Sequence, residues 1–384
     1  MDVAELRSRR LFAQGLRGEV STTDATTPAG LVRRALAVQS QEYQPAQWGL
    51  AQRLPPDDRP DAASVAAAID RGDILRTHVL RPTWHFVDPA DARWLLEVSA
   101  PRVARIQATY ERRLGIEGEA ATRALDAMAA AVAGGRHRTR GELFEAVADQ
   151  GWPSSAMLFL LLRAELERVL VSGANAGRQR TYAAFDERVP PSPERSREDA
   201  LAEIAERFLL TRGPATARDL ATWSGFTLRD IRTALADAAD RSGGRIERLD
   251  DPDEGELWHD ASVAAAWTAR DPARVAADDD PAQVDLLQGY DEYVMGYAMP
   301  RAYLQPAGIE APIVPEYPLH AMFASGTMVG RWTWTGQGRR AVVRIVPWRR
   351  MSRAEVRSRD ARIAEVERFL GVPVTVEVDG VAAP

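Results

Sequence analysis

Ile74-Leu75-Arg76-Thr77-His78-Val79-Leu80-Arg81-Pro82-Thr83-Trp84-His85-Phe86-Val87 is the stretch whose reading decides the fold. β-Branched and aromatic residues fill both halves, and Arg81-Pro82 interrupts them. Residues 74–80 and 83–87 therefore read as two strands around a turn. Upstream, residues 4–16, 28–38 and 61–71 carry apolar positions at helical spacing. Leu31, Ala35 and Val38 share one face of the second helix, and Val65 and Ile69 mark the third. Pro28 suits a first helical turn and Gly72 a helix end. Helices followed by a two-stranded hairpin are the order of a winged helix-turn-helix unit. A helical connector over 89–114 follows.

The plan recurs twice. Thr139-Arg140-Gly141-Glu142 has the pattern of a capping box and opens a helix over 142–150, which Gly151 ends. Ser154 and Ser155 can cap the next helix, to about 168. Strands over 170–172 and 181–183 flank a loop that holds Arg178 and Arg180 and no acid, a wing fit to face DNA. The third unit has helices over 197–211, 216–224 and 228–239 and strands over 246–249 and 257–259. Its wing carries Asp250, Asp251, Asp253, Glu254 and Glu256, which phosphate would repel, so this unit reads as scaffold. Beyond residue 280 the pattern changes. Strands over 328–334 and 340–346 are joined by Thr335-Gly336-Gln337-Gly338, and an amphipathic helix and a last strand, 372–378, follow. The fold class is therefore mainly α with β (α+β): three tandem winged helix-turn-helix units and a C-terminal β-rich, barrel-like domain. The expected boundaries are 1–115, 116–192, 193–270 and 280–384.

A chain of 384 residues with 45% hydrophobic content can bury several cores. It has no cysteine, so disulfides and thiolate metal sites are excluded. No signal-peptide pattern or membrane-length apolar run is evident, and a cytoplasmic, nucleoid-associated protein is expected. A net charge of −6 argues against indiscriminate coating of nucleic acid and leaves room for a local basic surface. There is no lysine: all 49 basic residues are arginine. No side-chain amine can form an imine, whereas the planar guanidinium suits phosphate. Residues 331–362 hold ten arginines against two acids, with Trp332, Trp334 and Trp348 interleaved. That combination fits nucleic acid; equally, the later arginines could solvate a helix and the tryptophans could be core.

Gln39-Ser40-Gln41 sits where the second helical pattern stops. On a helix, residues two apart diverge, whereas in extended chain they point the same way. The two amides converge only if the helix ends before them. Converged, they can hold and orient a water but not deprotonate it. The plainer alternative is a pair of surface polar residues at a helix end.

Three blocks in order, Gln39-Ser40-Gln41, the stretch 74–87 and Tyr290-Asp291-Glu292-Tyr293, resemble the azinomycin-resistance DNA glycosylases, the helix-turn-helix 42 family of winged-helix proteins. Ser40 departs from the aliphatic or small residue usual between the glutamines. The resemblance implies a monofunctional glycosylase that excises cationic N-alkylated purines from alkylated or crosslinked double-stranded DNA, in repair or self-resistance. Gln39 and Gln41 would then be catalytic, with His78, Arg81, Thr83, His85 and Asp291 in support. Arg178, Arg180, Arg331, Arg339 and Arg340 are the expected phosphate contacts, and Trp334 and Gln337 could probe the lesion. Asp291 and Glu292, read as strand neighbours, should face opposite sides. No third ligand joins His78 and His85, so no metal and no cofactor are expected, and no dimerisation stripe argues against a monomer. Two rival readings are a non-enzymatic DNA-binding regulator and a protein that sequesters a DNA-damaging drug.

Overall fold

The computed structural model describes residues 1–17, 26–252, 254–271, 280–306, 320–336 and 338–380; Asp253 and Gln337 lie outside the described residues. In the first unit Thr27 caps the helix Pro28–Ala35, accepting the Gly30 N–H at 3.0 Å. The helix stops three residues short of the expected end. Leu36 turns left-handed, φ 67°, and Ala37–Gln39 becomes a strand, β1. With ψ at −53° Leu36 sits in a sparsely populated backbone region, which costs roughly 1–3 kcal/mol. Complete burial of the Leu36 side chain, worth roughly 1.5–3 kcal/mol, offsets it.

Strands β2 (Leu75–His78) and β3 (Trp84–Val87) form the expected hairpin, but β1 adds to it, giving the order β1-β3-β2. Val38 thus enters the core from a strand, paired antiparallel with Phe86, rather than from a helix. Helices Tyr43–Ala51 and Ala62–Arg71 complete the unit, and Gly72 ends the latter in left-handed conformation. Asp88 caps the connector, a single helix Pro89–Arg113.

The second unit has its capping box at Thr139 and Glu142, opening the helix Arg140–Ala146. Ser154 and Ser155 do not cap; they start a 3-10 turn ahead of the helix Met157–Leu166. Strands β4 (Arg138–Thr139), β5 (Leu170–Ser172) and β6 (Thr181–Ala184) are ordered β4-β6-β5. The third unit comprises helices Arg197–Arg212, Ala217–Ser224 and Leu228–Arg241 and the hairpin β7 (Ile246–Asp251) and β8 (Gly255–Asp260). In its acidic wing Asp251 pairs with the N-terminal ammonium at 3.0 Å.

The C-terminal part is an open, curled sheet of β9 (Val284–Leu286), β10 (Ala321–Ala324), β11 (Thr327–Thr335), β12 (Ala341–Pro347) and β13 (Val374–Val378). The order is β13-β12-β11-β10-β9, a half-barrel rather than a closed one. A Ser352/Glu355 capping box starts the helix Arg353–Leu370. Phe369 of that helix meets Trp48 of the first unit, and Leu286, Trp332, Ile345 and Val366 share one core with Val32, Val65 and Phe86. Asp291 and Glu292 are not strand residues: Asp291 caps the short helix Glu292–Met295, and both are buried.

Candidate active site

Gln39 is held on every side. Across β1 and β3 it lies opposite His85. Its N–H donates to Glu292 Oε1 at 2.7 Å, and its side-chain oxygen accepts from Arg81 Nη2 at 2.8 Å. Its carbonyl accepts from Gln288 Nε2 at 3.4 Å. The three sequence blocks therefore meet on this one residue. The strand ends at Gln39, and Gln41 lies in the bend before the helix Tyr43–Ala51, its Oε1 accepting a long bond, 3.4 Å, from the Trp84 N–H. One lone pair of that oxygen stays available to a water. Gln39 is buried and Gln41 half-buried, so the pair is not a polar surface at a helix end.

Glu292 anchors the arrangement. Besides Gln39, it receives Arg212 through Nε at 3.0 Å and Nη2 at 2.8 Å, and Trp223 Nε1 at 2.9 Å. Burial opposes its ionisation, but Arg212 and the Gln39 N–H outweigh burial and hold its carboxyl below the ordinary value. Arg212 also donates to the carbonyls of Ala35 and Ala37, bracing both sides of the Leu36 turn. The third unit is thus the scaffold of the site. The Asp291 carboxylate accepts from Arg53, at 2.6 and 3.0 Å, and from the Tyr293 N–H. Asp291 orders the turn; Glu292 beside it reaches the glutamine.

His85 donates from Nδ1 to the Thr83 carbonyl at 2.9 Å, which leaves Nε2 as an acceptor. Complete burial, reinforced by the Arg81 guanidinium, pushes the imidazole down to about 3, so it is neutral at physiological pH. His78 faces elsewhere. Its Nδ1 meets Glu165 Oε2 at 2.6 Å, its N–H meets the same oxygen at 2.8 Å, and its ring packs on Trp84. The two histidines brace the hairpin from different sides. Among the described residues no cluster of three or more His, Cys, Asp or Glu is placed to hold a metal ion.

Buried polar atoms without a hydrogen-bond partner collect here: Ser40 Oγ, Thr83 Oγ1, His85 Nε2, Gln288 Oε1 and His320 Nδ1. Such atoms are rare in folded proteins, and their concentration marks a place built to hold polar matter. Strain collects here too. Leu36, Leu80, Tyr290 and His320 all have positive φ, and each adjoins a site segment. On the outer side Glu42 lies 2.6 Å from His320 Nε2, with Gly289 packed against both side chains.

Exposed arginines lie on the wing of the second unit and on the β11–β12 hairpin. The wing of the second unit docks on Tyr43, whose hydroxyl meets Asn175 and whose ring lies 5.4 Å under the Arg180 guanidinium. Arg178 and Arg180 are exposed there. In the C-terminal sheet β11 carries exposed Arg331, and exposed Arg339 and Arg340 precede β12. Trp334 is half-buried against Trp332, 5.3 Å away, and Trp332 is core. Sequence reasoning missed Arg212, Trp223 and Glu165. A signal existed only for Glu165, a lone acid in the apolar run Met157–Leu166.

Winged units around a buried polar site define the class of fold, a winged-helix protein. A family model described as DNA glycosylase AlkZ-like matches residues 32–371, and the chain belongs to that DNA glycosylase family. The DNA glycosylase AlkZ of Streptomyces sahachiroi has a similar structure, with TM-score 0.73 over 98% of this chain and 99% of that one at 20% identity. That likeness bears on the fold. No curated protein matches the chain. Among the described residues no helix is long and apolar enough to cross a membrane.

Proposed function

We propose that this glycosylase is monofunctional and excises cationic N-alkylated purines, N7-alkylguanine or N3-alkyladenine, from double-stranded DNA. Alkylated or crosslinked duplex is its partner, and the monomer is the working form. The observation that carries the reading is the convergence of three separate segments on Gln39, with Gln41 two residues on in the bend that follows β1.

The chemistry follows from what an amide can do. Gln39 and Gln41 hold the water that attacks the anomeric carbon, and neither can take its proton. Such a site suits a leaving group that departs without help. A purine alkylated at N7 or N3 carries a positive charge and leaves as a neutral base. Uracil leaves as an anion and needs stabilisation that two amides do not supply. The absence of lysine removes the usual imine-forming amine, so strand cleavage is not expected. Arg81, fixed on Gln39 Oε1, sets the amide rotamer; His78, Thr83 and His85 shape the hairpin beneath it. Arg178, Arg180, Arg331, Arg339 and Arg340 supply phosphate contacts, with Trp334 probing the lesion.

Chromatography of bases freed from duplexes with one 7-methylguanine, one 3-methyladenine or one uracil tests the substrate class. Release of the methylated purines and retention of uracil is expected. Efficient uracil release would contradict the mechanism, and binding without any release would favour a non-enzymatic DNA binder.

A further inference from the structure

Gln39 and Gln41 leave one task open. Attack of a water on the anomeric carbon sets a proton free, and an amide cannot keep it. The residue after Gln41 is a carboxylate, Glu42, at the N-cap of the helix Tyr43–Ala51. A carboxylate at a helix start is drawn to the free N–H groups of the first turn. Glu42 makes no such bond. Its side chain turns instead to His320, with Oε2 2.6 Å from Nε2. That contact is close but is not aligned as a hydrogen bond, so Oε2 keeps its capacity to accept.

The seat of this carboxylate is continuous with the seat of the glutamines. Gly289 packs against Glu42 Oε2 and His320 Nε2, and its neighbour Gln288 donates Nε2 to the Gln39 carbonyl at 3.4 Å. His320 is held in left-handed backbone, φ 50°; its carbonyl accepts the Trp332 N–H at 2.9 Å and its ring meets that tryptophan edge-on. Beside them Gln288 Oε1 and His320 Nδ1 are buried without a hydrogen-bond partner, and Gln288 is 1% exposed. Orphaned polar atoms of this kind suit a place that water occupies. The Glu42 side chain is 33% exposed, so the carboxylate is also open on one side. Residues 41 and 42 form a bend, free of the strand alternation that sends consecutive side chains to opposite faces. The nearby acids are already engaged: Glu292 by Arg212, Trp223 and the Gln39 N–H, and Asp291 by Arg53.

We propose that Glu42 is the general base of base release and that His320 positions it. As the water oxygen bonds to C1′, the C1′–N bond breaks and its electron pair neutralises the cationic purine, while the water proton passes to the Glu42 carboxylate. The inference rests on the reading of the chain as an enzyme that releases cationic purines and adds where the proton goes.

The test is single-turnover release of 7-methylguanine from a duplex by the full-length protein, with DNA affinity and the urea midpoint measured in parallel. Glu42→Gln keeps the shape of the side chain and removes the proton acceptor. It should slow release about a hundredfold, the low end of what a positioned base contributes, without weakening affinity or lowering the midpoint. In Glu42→Ala, added formate should restore part of the rate in proportion to its concentration, which a purely structural residue would not allow. His320→Gln should slow release less than Glu42→Gln does. Release by Glu42→Gln at the wild-type rate, a slow Glu42→Ala that formate leaves unchanged, or a loss of rate matched by a loss of fold or affinity would each overturn the assignment while the enzyme itself stands. A wild type that releases no 7-methylguanine would instead refute the reaction, and this role with it.

Discussion

Gln39 has almost no freedom: its backbone is pinned by Glu292 and Gln288, and its side chain by Arg81. A pre-set amide orients a water without paying rotamer entropy at the moment of reaction, which is how positioning lowers a barrier. His85, opposite it, gives a stability test. An ordinary imidazole titrates near 6.5, while in the fold burial holds this one near 3. Between those values the unfolded chain binds a proton that the folded chain refuses. Stability should therefore fall as pH drops from about 6.5 towards 3, by about 1.4 kcal/mol per unit from this residue. Urea unfolding at about pH 6 and about pH 5 should show the slope, and His85→Gln should remove that share of it. An unchanged slope in the variant would mean that His85 is protonated in the fold. The residue types at the site were legible in the sequence, but their partners were not. Nothing local in a chain shows that Glu165 will meet His78, or Arg212 meet Glu292, across dozens of residues.

At the scale of elements, the change from helix to strand at Leu36 places the glutamines. Apolar spacing over residues 28–38 reads as one helix because Val38 falls in phase with Leu31 and Ala35. Tertiary pairing overrides it: β3 has an open edge, and Ala37–Gln39 takes it. The same limit explains the strand reading of Asp291 and Glu292, since a four-residue helix leaves no periodicity to read. The hairpin, the Thr139/Glu142 box and the wings were legible because their signals are local. The wings bear on binding. If Arg339 and Arg340 each neutralise a phosphate, the double alanine variant should flatten the log–log salt dependence of DNA affinity by about two. Arg178→Ala with Arg180→Ala should act alike on the other flank. Equal slopes in wild type and variants would move the DNA surface elsewhere.

For the whole molecule, one core joins the first unit to the C-terminal sheet, and one buried ion pair, Arg212–Glu292, ties the third unit to both. Removing one partner of such a pair strands the other, at about 3–5 kcal/mol. Glu292→Ala should lose stability on that scale in urea unfolding and activity with it; a loss under about 1 kcal/mol would deny it the anchoring role. A chain without lysine should also leave no adduct with abasic DNA under borohydride, except through its N-terminal amine. The proposed role of this assembly is to hold a water at Gln39 and Gln41. The most direct measurement is single-turnover release of 7-methylguanine from a duplex, with DNA affinity measured in parallel, for wild type, Gln41→Ala and the Gln39→Ala/Gln41→Ala double variant. Water positioning predicts that Gln41→Ala lowers the rate roughly ten- to a thousandfold while affinity changes far less, and that the double variant is slower still. A double variant that releases the base at the wild-type rate would contradict the account.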